Sequence, residues 1–212
     1  VLDERPGDTL VAHAYDHYRL NVELILILLF AVLLIGFAGW GGAKAMLSFV
    51  FALVVMWKVL FPNILLGRDP VWIAMGVVTL ITAVTLYLVA GVNKTAHTAL
   101  LGSLLGITLT MGLASILLPR FRLHGAIQPF SETLLYTGFE HLNLTRVFLA
   151  AIFIGASGAV LDVAIDVSTA MGEVRAKRPD LPRMELIKSG FVVGRNMTST
   201  MVTTLLMAYA SG

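Results

Sequence analysis

Three carboxylates and a hydroxyl, Asp162, Asp166, Thr169 and Glu173, recur at spacings of four, three and four residues in GASGAVLDVAIDVSTAMGEV. On a helix this spacing gathers them on one stripe. Carboxylates aligned inside an apolar run of membrane length are groups that hold a proton or a cation. Later in the chain, SGFVVGRNMTSTMVTTLL brings Arg195 and Asn196, followed by Thr198, Ser199, Thr200, Thr203 and Thr204. That density of hydrogen-bonding side chains predicts an inward polarity. If the two segments are antiparallel helices joined by the run from Glu173 to Lys188, Asp166 lies about five residues before the turn. Arg195 lies about seven to nine after it, so at ~1.5 Å per residue the two depths agree within about one helical turn.

The chemistry open to such a set is binding and release rather than bond making. In one reading a hydrated pocket is lined by these groups: Asp162 and Asp166 bind a cation or proton, Arg195 sets their ionisation, and Asn196, Thr200 and Thr203 supply neutral ligands. In the other, Asp166 and Arg195 form a structural clamp between helices. Both answer the same cost. A central Asp or Arg opposes insertion by about 2.5 to 3.5 kcal/mol, against a gain of about 0.3 to 0.6 kcal/mol for each Leu. Glycines accompany the polar groups: Gly155 and Gly158 precede the aspartates, Gly190 and Gly194 precede Arg195, and Gly102 and Gly106 stand in GSLLG. They are expected to let helices approach closely, the alternative being a helix break whose carbonyls line a cavity.

Other chemistries find little support. His13 and His17 in HAYDH would share a helix face, but Ala14 stands where a zinc-hydrolase helix carries Glu, so a surface segment is expected and no metal site. His97, His124 and His141 fall near span ends. No nucleophile elbow and no phosphate-binding glycine loop occurs in the sequence, and no enzyme activity or cofactor is expected. With no cysteine, disulfides and thiolate metal sites are excluded.

The elements that must position these residues follow from composition. Of 212 residues 58% are hydrophobic and 13% charged, which excludes a soluble globule and makes the lipid bilayer the expected solvent. A net charge of +2 with scattered Lys and Arg excludes a nucleic-acid partner. Stretches near the ~20 residues needed to cross hydrocarbon predict an all-α, polytopic transmembrane bundle of about six helices. The spans are placed near 22–40, 45–61, 71–92, 96–118, 144–171 and 184–210. The second meets Lys58, which must snorkel. Short links, GWGGAK, FPNILLGRDP and GVNKT, predict antiparallel neighbours. Residues 1–21 read as the tail of an extracytoplasmic segment and 22–212 as the membrane domain. In the segment from Pro119 to Asn143, Ser131 is a candidate cap for a short interfacial helix. Five basic residues between Glu173 and Lys188 favour that loop as cytoplasmic and the amino terminus as external.

The run IGASGAVLDVAIDVSTAMGEV, then RPDLPRMELIKSG and VVGRNMTSTMVTTLLMAYASG, resembles the YibE/F family of bacterial integral membrane proteins. The family pattern is IGxxGAVxDVA followed by SGxxxGRDMxGTMxNTLxLAY. DHYR, FPNILLGRDP and GVNKTAHTALLG extend the resemblance over nearly the whole chain. Asn196 replaces the acid of GRDM, and Asp166 stands where Ser is more usual. The resemblance implies a protein of the bacterial cytoplasmic membrane, external at its amino end, with a small β-domain ahead of the first span and further helices after AYASG. This chain then reads as a central fragment of a longer one. Taken together, the expected function is a transporter or permease for a small solute or ion. The alternative is a non-transporting anchor or assembly subunit with a homo-oligomeric or membrane partner.

Overall fold

The computed structural model describes residues 20–121 and 142–210, and every element there is helical. We number them α1 (Leu20–Val55), α2 (Phe61–Leu65), α3 (Pro70–Val89), α4 (Lys94–Arg120), α5 (Leu144–Lys177) and α6 (Arg183–Ala210), with a π-helical turn over Met56–Leu60. The expected extracytoplasmic tail as far as residue 19, His13, His17, His124, His141 and the expected Ser131 cap lie outside the described residues. The chain divides into two compact units, 1–43 and 44–212.

In the first unit the apolar helix leaves helical geometry at one residue, Gly39, at φ 57° and ψ −131°. A side chain there would crowd the following carbonyl, and glycine has none. Gly42 then lies against the backbone of Leu34, where an added Cβ would come within 2.9 Å of the carbonyl carbon. Residues eight apart in a straight helix are about 12 Å apart, so the chain turns sharply at this point.

The expectation of six separate spans is corrected here. The first two expected spans belong to one helical run of 44 residues, Val22–Leu65, and the long helices number five among the described residues. The kink at Gly39 divides that run into two helical segments, so it is not one straight rod. The physical reason is that GWGGAK contains no proline and only Gly39 leaves helical geometry, so helical backbone stands on both sides of the kink. Four helical runs are long and apolar enough to cross a membrane: Val22–Leu65, Pro70–Val89, Lys94–Leu117 and Leu144–Lys177. The helix Arg183–Ala210 forms where expected but is not among them, because Arg195, Asn196 and the Ser/Thr ladder lower its hydropathy.

In the second unit each helix end has a local cause. Pro62 has no N–H and its ring excludes the carbonyl four residues back. The wide turn just before it accommodates the ring, Phe61 N–H donating to Met56 O, while the Asn63 amide donates to Val59 O at 2.6 Å. Gly67 at φ 79° closes α2, and Asp69 caps α3 by accepting from Val71 N at 3.1 Å, with Pro70 in the first turn. Asn93 caps α4 through Ala96 N at 2.7 Å, and Asn143 caps α5 through Arg146 N at 3.1 Å.

The core of this unit joins Val55, Leu60, Val71, Ala74, Val77, Val78, Ile107, Met111, Ala150 and Phe153. Helix α5 is the centre: α3, α4 and α6 all pack on it. Two of the expected packing glycines sit at its seams. A Cβ on Gly106 would meet Val160 Cγ1 at 2.7 Å, and one on Gly190 would meet Met171 Sδ at 2.6 Å. Gly194 faces Val167 Cγ2 at an ordinary 3.4 Å, whereas Gly102 and Gly158 face open space and Gly155 is exposed. Gly172, where an added Cβ would come within 3.1 Å of Thr95 Oγ1, is a seam that the sequence reading missed.

Candidate functional site

The polar residues of α5 and α6 are where the sequence places them along each helix, but they do not converge. Asp162, Asp166, Thr169 and Glu173 do form one stripe of α5, and all four are exposed. The opposite face of α5, with Val160, Ala164, Val167 and Met171, lines the cleft toward α4 and α6. On α6 the residues that meet α5 are centred on Gly190 and Gly194. Asn196, Thr200 and Thr203 lie round the far side of α6 and are exposed, with Arg195 on its flank, also exposed. The two polar faces therefore point away from each other.

The expected Asp166–Arg195 contact is accordingly absent. The ion pairs among the described residues are Asp69–Arg146 and Arg178–Asp180, and no side-chain hydrogen bond joins Asp162, Asp166 or Arg195 to another described residue. Height along the helices agrees; rotation about their axes does not. The Arg195 side chain instead borders a cleft of about 460 Å³ with Val167, Met171, Ile187 and Phe191. A larger cleft of about 540 Å³ lies between α4, α5 and α6, walled by Gly102, Val163, Val167, Met201 and Leu205. Neither aspartate lines either cleft.

The Ser/Thr ladder is satisfied within its own helix. Thr198 donates to Gly194 O at 2.8 Å, Ser199 to Arg195 O at 2.8 Å, Thr200 to Met197 O at 2.9 Å and Thr204 to Thr200 O at 3.2 Å. Such back-bonding removes the donors from unfavourable exposure to lipid. No group of three or more His, Asp or Glu side chains gathers at metal-binding range among the described residues.

A second polar cluster was missed by the sequence reading. Arg146, at the start of α5, pairs with Asp69 at the start of α3, and Arg68 Nη1 donates to Asn63 Oδ1 at 2.7 Å. Between α3 and α4, Tyr87 Oη and His97 Nδ1 share a hydrogen bond of 2.7 Å. The caps were readable from Asp before Pro, but partners 77 residues apart carry no local signal.

The family model described as YibE/F-like protein matches residues 26–212, nearly all of the chain and all of α2 to α6. No curated protein and no solved structure matches the chain.

Proposed function

Because the chain belongs to the YibE/F-like family, we propose that this helical membrane protein is a permease for a small solute or ion in the bacterial cytoplasmic membrane, with its amino end external. The single observation that carries the reading is the presence of Asp162, Asp166 and Arg195, exposed and without partners among the described residues, inside helices of membrane length. Groups so costly in lipid are a functional signal by default. The path runs along the outer polar faces of α5 and α6 rather than through the apolar clefts. Asp162 and Asp166 bind the cation or proton, Arg195 tunes and gates them, and Asn196, Thr200 and Thr203 offer neutral oxygen and amide ligands. The basic residues of the turn at Arg175, Lys177, Arg178, Arg183 and Lys188 support a cytoplasmic position for that turn. Flux of cations and small metabolites in proteoliposomes containing the full-length protein tests the proposal; a purified, folded protein that moves none would sink it.

A second reading, a non-transporting anchor or assembly subunit, is favoured by the close seams at Gly106 and Gly190. Helices packed this tightly suit a rigid scaffold. The same proteoliposome measurement separates the two.

A further inference from the structure

Three observations concern one problem, the outward polarity of α5 and α6. The acidic stripe of α5 lies opposite the face that packs on α4 and α6. The polar face of α6, with Asn196 and flanking Arg195, lies away from α5. The five-residue turn between Lys177 and Arg183 sets the helix ends at a common level. Asp166 stands eleven residues inside α5 and Arg195 twelve inside α6, so at ~1.5 Å per residue both lie about 17 to 18 Å from the turn. The charges agree in depth and are complementary in sign, yet within one chain they face different directions.

We propose that copies of this chain associate side by side in the membrane, the Asp162/Asp166 stripe of one copy meeting the Arg195/Asn196 face of the next. Copies inserted with the same orientation are related by an axis along the membrane normal, and such an axis preserves height. Asp166 of one copy therefore arrives level with Arg195 of its neighbour, and Asp162 level with Ser199. Because the two faces point in different directions, the contact is head-to-tail, the kind that builds a ring or an open row according to the rotation between copies. It offsets the cost of leaving three charged groups in lipid, which no contact among the described residues does. Carriage of a solute is not required for the association, and its test reads association alone.

These 212 residues contain no cysteine, and any cysteine elsewhere in the full-length protein is first replaced by serine, so that the introduced thiols are the only ones. Thr169 and Val192 are exposed, lie one turn from Asp166 and Asn196 on the same faces, and are matched in depth, eight and nine residues from the turn. Full-length copies carrying Thr169→Cys with one tag and Val192→Cys with another are co-expressed and oxidised in native membranes. We expect a reducible product bearing both tags, at least about fivefold above that from Thr169→Cys with Leu101→Cys, a residue on the exposed face of α4. Arg195→Asp, added to both copies, should lower the product about tenfold, and adding Asp166→Arg as well should restore it. A product no greater than the Leu101→Cys control overturns the proposal, and so does a bridge between Thr169→Cys and Val192→Cys placed in one chain. Because the thiol pair leaves every charge in place, the first comparison decides even if a charge-reversed variant fails to insert.

Discussion

Arg146 holds Asp69 with two guanidinium nitrogens, Nε donating to Oδ1 at 3.1 Å and Nη2 paired with Oδ2, and so ties the start of α5 to the start of α3. The same Oδ1 caps α3 by accepting from Val71 N. One carboxylate thus serves a helix end and a tertiary contact. Asp69→Ala removes both and is expected to cost about 1 to 2 kcal/mol, most of it from the cap. Arg146→Ala removes the pair alone and should cost about 0.5 to 1 kcal/mol, since both side chains are partly exposed. Thermal unfolding in detergent gives both values, and a larger loss from Arg146→Ala than from Asp69→Ala would contradict the division.

The glycine seams predict a graded series. Gly106→Ala drives a methyl against the branched, stiff side chain of Val160 and should cost about 1 to 3 kcal/mol. Adding Val160→Ala should recover part of that loss. Gly190→Ala meets only the flexible end of Met171 and should cost less than about 1 kcal/mol. Gly102→Ala points into open space and should be neutral or slightly stabilising through helix propensity. The order of the three melting temperatures is the check.

At Gly39 the backbone, not space, sets the constraint. Gly39→Ala places a Cβ on a residue at φ 57° and is expected to cost about 1 to 2 kcal/mol, although nothing lies within 4 Å of that Cβ. Gly41→Ala, equally uncrowded and without the positive φ, should cost almost nothing. Equal melting temperatures for the two variants would show that the turn does not need this conformation.

Charge removal tests the permeation reading. Asp162→Asn and Asp166→Asn should each lower flux at least about tenfold, the rate change of about 1.4 kcal/mol, with melting temperature unchanged or raised. Asp166→Asn combined with Arg195→Gln should fold normally and still fail to carry solute. Full flux from that double variant would leave the two groups a structural use only.

Much of this architecture was legible because the bilayer imposes length. The runs expected at 71–92, 96–118, 144–171 and 184–210 correspond to helices Pro70–Val89, Lys94–Arg120, Leu144–Lys177 and Arg183–Ala210. The kinked joining of the first two runs was not legible, since three glycines in four residues suggest a loop while Gly39 alone leaves helical geometry. The acidic stripe of α5 was read correctly from its spacing. Its supposed convergence with Arg195 was not, because rise along a helix fixes depth while neighbours fix rotation. The glycines held the missing clue: Gly190 and Gly194 define the side of α6 that meets Val167 and Met171, and Asn196 lies about half a turn beyond Gly194. Contacts such as Asp69–Arg146 depend on the folded arrangement and have no signature in a single sequence.

The wide turn at Met56–Leu60 works as a spacer of one residue. An α-helix rotates about 100° with each residue, so one additional residue in a turn re-aims every side chain after it. Here the outcome is an inward Leu60, 2% exposed, beside an outward Trp57 and Phe61 in edge-to-face contact with ring centres 6.0 Å apart. Deleting one residue from this turn would remove its extra width. It would also swing the leucine toward the oily surroundings and an aromatic ring into the protein interior, so the irregularity is what keeps the downstream segment in phase.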